Sequence, residues 1–368
     1  MKKLFYFAAA AVALAACAKN EVIPVNSGEN QEITFNVAPK TKAGTQTFNP
    51  NWNFKAYAYY YAGGSASATP KLYINKAIVS YQTIKTETGD KSVWKSNTPY
   101  YWPKNGSLTF FAWTSLKEDV ATPENTAVSS FDGVECDATT GIKAKDYDVT
   151  TNKNIDFLVA DVAANQTKNI NTYGHDGVPT LFRHKLSYVV FKVNTLKDYS
   201  TDGKTFTLNY IKFNNIEHKG TYTQLSTDSE GWTIENSDKT VQTYIETDKV
   251  FGYVDPESGI PALTTNDTQN YYLPQTFGTS EELEIKYTIT TTTGTGTPAK
   301  TSDDVVIKKI VLNPASVGGV TPSPLFTKWE KGKKYTVTLT FSLDEIFWDP
   351  AVENWDEVDI STSGLTTI

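Results

Sequence analysis

Residue types that carry most enzyme chemistry are scarce in this chain of 368 residues. Its three histidines (His175, His184, His218) stand far apart with no HExxH pair, and its two cysteines, Cys17 and Cys136, form no CxxC. Neither a zinc site nor a Cys/His nucleophile pair is therefore indicated. There is no GxSxG, P-loop or GxGxxG motif. The run Asp228-Ser229-Glu230-Gly231 lacks the further ligands of a calcium loop and reads as an ordinary turn. No catalytic residue, metal or cofactor is expected. Basic charge is also short: 34 Lys and Arg against 41 Asp and Glu give a formal charge of -7, and arginine occurs only at Arg183. Such a surface repels nucleic acid.

Long apolar runs are missing too, apart from one at the start. Lys2 and Lys3 precede an apolar stretch from Leu4 to Ala16, which has the form of a secretory signal. The stretch is shorter than the roughly 20 residues that span a bilayer. Leu14-Ala15-Ala16-Cys17 resembles the bacterial lipobox, in which the cysteine is lipidated and becomes the new N-terminus. One acyl chain binds a membrane only marginally, so a Cys17 carrying several would hold the chain at a membrane surface. Removal of the signal leaves 32 basic against 41 acidic residues, or -9. Lipidation of Cys17 leaves Cys136 as a lone thiol, and stability must then come from packing without a disulfide.

What is abundant is Tyr, Phe, Thr and Val, a composition that favours strands. Residues 18–30 read as a tether. Ile33, Phe35 and Val37 alternate with Thr34 and Asn36 as a strand with one buried face, stopped by Pro39, and the polar PKTKAGTQ after it reads as exposed loop. Further strands are expected at 54–61, 72–81, 107–113 and 156–160, with long loops and at most one short element from 117 to 154. The 107–113 run is apolar on both faces, as the middle strand of a sandwich would be. The polar, Gly-containing stretch 164–179 reads as a domain boundary. Beyond it, strands are expected at 181–193, at 206–213 with a parity shift that marks a β-bulge, in a long hairpin from Leu283 to Leu312, and at Tyr335 to Phe341. Nothing sustains a helical period. The expectation is all-β: two antiparallel β-sandwich domains in tandem, residues 31–174 and 180–368, behind a signal (1–16) and tether (17–30).

Trp94, Tyr100, Tyr101, Trp102, Trp113, Trp348 and Trp355 could stack on sugars, but two sandwiches need aromatic filling, and each ring buries on the order of 150 to 250 Å². They are assigned to the core, except Tyr100 to Trp102, where bracketing prolines suggest partial exposure.

Several stretches in order resemble the fimbrillins, specifically the Mfa-like group that builds the type V pili of Bacteroidales. ITFNV followed by TKA is similar to the opening strand and processing loop, and PYYWP with SLTFFAW to a family hallmark. DFLVA and LFRHKLSYVVFKV resemble the join between domains, with YYLPQTF beyond it; WEKGKKYTVTLTF with Ile346, Phe347, Val352 and Trp355 resembles the C-terminal signature. The resemblance implies transthyretin-like, Greek-key sandwiches and a structural subunit exported as an outer-membrane lipoprotein. A trypsin-like protease would cut after the first strand, releasing Ile33, Phe35 and Val37. The C-terminal segment of a neighbouring subunit, here with Trp355, Val358 and Ile360, would fill the vacated groove. At about 1.5 to 3 kcal/mol per buried side chain, loss of the three removes roughly 5 to 9 kcal/mol of hydrophobic cover.

One departure stands out. The family's processing residue is arginine, whereas Thr41-Lys42-Ala43 offers Lys42, with Lys40 as the other site. Either a lysine-tolerant protease acts, or the subunit is not processed and serves as an anchor. The implied partners are other fimbrillin subunits, the protease, the outer membrane through the lipid, and a host or bacterial surface glycan or protein as adhesion target. The alternative is a surface glycan-binding lipoprotein that does not polymerise; a lipoprotein hydrolase would need a carboxylate pair in a cleft.

Overall fold

The structure is a computed structural model that describes residues 32–37, 48–64, 69–86, 89–117, 126–127, 133–168, 177–227, 231–234, 239–263, 265, 268–294, 300–316, 319 and 322–354. The first strands are β1 (Thr34–Val37), β2 (Asn53–Tyr61), β3 (Lys71–Thr86), β4 (Gly89–Ser96), β5 (Ser107–Lys117), β6 (Thr126–Ala127), β7 (Val134–Asp137), β8 (Gly141–Asp148), β9 (Ile155–Ala160), β10 (Ala163–Gln166), β11 (Val178–Thr180) and β12 (Phe182–His184). After them come β13 (Ser187–Thr195), β14 (Lys204–Glu217), β15 (Lys219–Thr223), β16 (Trp232–Ile234), β17 (Lys239–Phe251), β18 (Tyr271–Tyr272), β19 (Gln275–Thr276), β20 (Glu282–Thr293), β21 (Lys300–Val311), β22 (Lys328–Trp329), β23 (Lys333–Phe341) and β24 (Ile346–Asn354). Among the described residues the only helical pieces are three short 3₁₀ turns. The protein is all-β.

The largest sheet runs β11-β1-β4-β3-β2-β5-β9-β12, with β6 and β10 also on β5. Its two ends, β11 and β12, are separated in the chain by Leu181 alone, so the sheet rolls round one interior. That interior holds Ile33, Phe35, Phe54, Ile74, Val79, Trp94, Leu108, Phe110, Leu158, Val178 and Phe182, drawn from strands all round the roll. Alternate residues of β5 face the other way. Phe111 and Trp113 join Tyr147, Phe157, Tyr222, Trp232, Tyr188 and Tyr271 in a second core, which explains why β5 is apolar on both faces.

Eight of the remaining strands build a true sandwich, while β16-β15-β8-β7 and β19-β22 form two further sheets. One sheet of the sandwich is β18-β13-β23-β24, the other β17-β14-β20-β21, and Phe191, Phe206, Phe213, Tyr287, Trp329 and Leu339 fill the space between. The alternation Leu283, Ile285, Tyr287, Ile289 is wholly buried, and β20 pairs with β21 in register from Glu282–Val311 to Thr293–Lys300. The parity shift in β14 is a bulge: its ladders to β17 and β20 both slip between Leu208 and Tyr210.

Four expectations need correction. The boundary at 164–179 does not follow the strand pairing, because β11 and β12 extend the first sheet and β15 and β16 pair with β8 and β7. Val178 within the stretch, and Leu181 and Phe182 after it, are apolar and are covered by the first sheet. His175 lies outside the described residues. Secondly, 117–154 contains β7 and β8, whose apolar residues are few but share a face (Val134, Ile142, Ala144, Tyr147). Thirdly, β1 with β11 and β13 with β23 are parallel pairs in otherwise antiparallel sheets. Finally, Trp102 is buried, with Tyr100 and Tyr101 only half-buried, whereas Trp348 is 37% exposed. The prolines bracket a segment that lies against the interior of the roll.

The two halves are also tied by polar contacts. His184 Nδ1 lies 2.6 Å from Asp156 Oδ2, and His218 Nδ1 lies 3.1 Å from Asp148 Oδ1, at opposite ends of the turn between β8 and β9. Within the sandwich, buried Glu281 accepts from Lys239 Nζ at 2.6 Å, Ser280 Oγ at 3.1 Å and Gly278 N at 2.8 Å. Burial alone would raise this carboxyl, but the bonds from Lys239 and Ser280 outweigh it and hold it below the usual 4.5. A group depressed on folding contributes stability above its unfolded value and loses it as pH falls through the folded one. Glu281→Gln is therefore expected to flatten the acid limb of thermal unfolding below the usual 4.5 and, because the same bond holds Lys239 above its usual 10.5, to flatten the far alkaline limb as well, leaving the shape between them unchanged. Parallel curves for variant and parent would contradict this.

Candidate functional site

The feature that distinguishes the roll is how its first strand is seated. Ile33 and Phe35 point inward from an extended, alternating segment and are 1% and 4% exposed, while Val37 is half-buried. Phe35 meets Phe54 edge-on at 5.5 Å and Phe110 at 5.8 Å. On one side β1 runs antiparallel to β4, with Thr34 opposite Lys95 and Phe35 opposite Trp94. On the other it runs parallel to β11, with Phe35, Asn36 and Val37 beside Val178, Pro179 and Thr180. The amide of Ile33 donates to Tyr100 O at 2.7 Å, and Lys95 Nζ donates to Glu32 Oε2 at 2.9 Å.

β11 ends the sheet path, so among the described strands β1 alone hydrogen-bonds it. Gly177, just before β11, has φ +104, and a Cβ there would stand 3.0 Å from Phe35 C and from Thr34 O. Only glycine lets the chain approach β1 so closely. With β1 absent, the wall between β4 and β11 would be open over its whole length, exposing the inner faces of Phe54 and Phe110. Because Val37 is half-buried, the cover that leaves with β1 is that of two full side chains, about 3 to 6 kcal/mol.

The other end of the described chain is built in the opposite sense. β24 pairs with β23 from Ile346–Phe341 to Asn354–Lys333, but of its residues only Ile346 is buried. Register places Ile346, Trp348, Pro350 and Val352 on the core-facing side of β23, yet Val352, on the end strand of its sheet, is 56% exposed. Phe347 points the other way and is 49% exposed. Such an apolar edge strand is a template for another chain, and Pro350 interrupts its row of donors.

Of the residues singled out in the sequence, Ile33, Phe35 and Val37 are thus brought to one seat. Cys17, Lys40, Lys42, Trp355, Val358 and Ile360 lie outside the described residues. The strands that make the slot, β4 and β11, were not foreseen; the turn signal Gly89-Asp90 before Val93 and Trp94, and the glycine before Val178, are the local marks of both. Elsewhere, burial pushes the Cys136 thiol up to about 12, so it is a poor nucleophile. Among the described residues no group of three or more His, Cys, Asp or Glu is placed to hold a metal ion. No described helix is long and apolar enough to cross a membrane.

Residues 25–355 match the model of a fimbrillin-like family. Among solved structures, a fimbrial protein from Bacteroides vulgatus is similar over 89% of this chain and 100% of its own, with TM-score 0.56 and 18% identity. The tip fimbrial protein Mfa3 from Porphyromonas gingivalis, with a C-terminal truncation, aligns over 82% of this chain and 94% of its own, with TM-score 0.30 and 12% identity. No curated protein sequence matches the chain.

Proposed function

The chain belongs to the fimbrillin-like family, a family of fimbrial and adhesion proteins rather than enzymes, and from that membership we propose that it is a structural subunit of a cell-surface fimbria assembled by protease-triggered strand exchange. Family membership alone points to the cell surface and to association with other fimbrial subunits. The finer reading has the precursor exported as a lipoprotein through Cys17, cut after Lys42 or Lys40, and relieved of β1.

The observation that carries it is the seat of β1: a four-residue strand, paired on both sides, whose Phe35, with Ile33 just before the strand, closes an apolar interior. A short strand hydrogen-bonded to both neighbours is replaceable by any segment of matching pattern, and an empty slot leaves ladder groups and apolar surface uncovered. The exposed C-terminal strand and the residues beyond it supply such a segment, and donation from copy to copy is heterologous, which gives a filament.

The test is a denaturing gel of material sheared from the cell surface. The full chain should run as a ladder that collapses only on strong heating, and Lys42→Ala combined with Lys40→Ala should leave only acylated monomer. Monomer alone from the unsubstituted protein would defeat the proposal and favour the glycan-binding lipoprotein.

A further inference from the structure

Strand exchange by itself does not fix which residues of the incoming segment stand where. From the ion pair at the rim of the slot we infer that residues Glu357 to Thr362 of a second copy take the places of Glu32 to Val37 one for one, so that Lys95 passes from Glu32 to the acidic residues of the neighbour. This rests on the strand-exchange reading and fixes its register.

The chain carries the pattern of its own first strand twice. Glu32-Ile33-Thr34-Phe35-Asn36-Val37 is acid, apolar, polar, apolar, polar, β-branched; Glu357-Val358-Asp359-Ile360-Ser361-Thr362 has the same order of types. Side chains of a strand alternate strictly, so only registers that keep this phase put Val358 and Ile360 inside. Within that phase the lysine selects one. Lys95 stands directly opposite Thr34 and bonds Glu32, and its side chain is only 19% exposed. When β1 leaves, Glu32 leaves with it, and a largely covered cation is left without that carboxylate. A segment seated as proposed puts Asp359 directly opposite Lys95 and Glu357 in the place of Glu32. Val358 N then meets Tyr100 O, and Ile360 lies between Trp94 and Val178. Ile360 is smaller than Phe35, so the pocket made by Phe54 and Phe110 closes more loosely round the incoming strand than round β1.

Nearer β23, a second stretch of the C-terminal region also starts with an acid and an apolar residue, Glu345-Ile346-Phe347-Trp348-Asp349-Pro350. It would put Pro350 at the place of Val37, where an amide lies in the ladder to Thr180, and its residues from Ile346 onward are already paired with β23. It is the poorer candidate on both counts.

Directly opposite residues of an antiparallel pair have Cα atoms about 4.5 to 5.5 Å apart, within disulfide reach, whereas residues two positions away lie beyond it at roughly 7 Å or more. The experiment therefore uses the full chain with Cys136→Ser and Lys95→Cys, combined singly with Glu357→Cys, Asp359→Cys or Ser361→Cys, processed, polymerised and oxidised. Only the Asp359→Cys chain should give a ladder that survives strong heating without reductant and collapses with it. A second pair, Pro179→Cys with Ser361→Cys, keeps Lys95 and reads the same register from the β11 side with the lysine in place. Absence of the 179–361 cross-link would overturn the register while heat-resistant ladders still left strand exchange standing; cross-links from Glu357→Cys or Ser361→Cys to position 95 beside an intact 179–361 cross-link would mean that the register slips once the lysine is gone, as its selection by Lys95 requires. No heat-resistant ladder from the unsubstituted chain would overturn both.

Discussion

Deletion of Trp355 to Ile368 is expected to give a protein that folds, is exported and is processed, yet forms no polymer. The expectation of folding comes from where the cores lie. Of the described residues, those in the three apolar clusters run no further than Ile346, and the ladder between β23 and β24 reaches Asn354. The deletion spares every one of them, so thermal unfolding of the truncated precursor should match the parent within about half a kcal/mol, the usual range for surface changes. Polymerisation, by contrast, should fall to nothing, because the proposed donor residues Val358 and Ile360 are gone while the acceptor slot is intact. The truncated protein should still receive a strand and so cap a growing end. Mixing it with full-length subunits should shorten ladders in proportion to its share. If it formed heat-resistant ladders of its own, the donor would have to lie in β24 or elsewhere.

Much of the sandwich was legible from alternation alone. Leu283 to Ile289 and Tyr335 to Phe341 read as strands with one buried face because nothing but a strand satisfies a strict period of two, and the β14 bulge was visible as a break in that period. What alternation does not carry is the identity of a strand's neighbour. Val178-Pro179-Thr180 is three residues long and comes after a glycine-rich connection, so locally it reads as a loop. It is a strand because β1 lies beside it, and that partner is some 140 positions away in the chain. The same holds for β15 and β16, which close the first half although they belong to the second in sequence.

The candidate site was legible on one side only. Ile33, Phe35 and Val37 announced a strand with one buried face, whereas the slot that holds them is made by β4, whose exposed Lys91 and Ser92 hide its period, and by β11. The charge at the rim had no sequence signal at all, since Lys95 and Glu32 are separated by 63 positions and meet only in the fold. Chain ends that must leave or dock carry their own pattern, while the surfaces that receive them are assembled from distant pieces.

That asymmetry gives the second large effect, from Phe35→Ala. Phe35 is 4% exposed, with Phe54 and Phe110 against its ring, so truncation leaves a cavity in the interior of the roll. The precursor should lose about 3 to 5 kcal/mol, a large part of a domain's usual stability of about 5 to 15 kcal/mol. It should also be cut sooner, since a loosened strand exposes the loop behind it. On the strand-exchange reading, however, the polymer no longer contains this residue. Once β1 has been released, Phe35→Ala subunits and unsubstituted ones are the same molecule, and their ladders should collapse at the same temperature. Phe54→Ala is the matching comparison: it removes the other half of the same ring pair, but from β2, which stays in the subunit. It should weaken precursor and polymer alike. The measurement is unfolding of the uncut precursors beside the collapse temperature of the ladders for both variants. A polymer from Phe35→Ala precursor that collapsed earlier than the unsubstituted one would mean that β1 remains in the assembled subunit, and that the slot is never vacated.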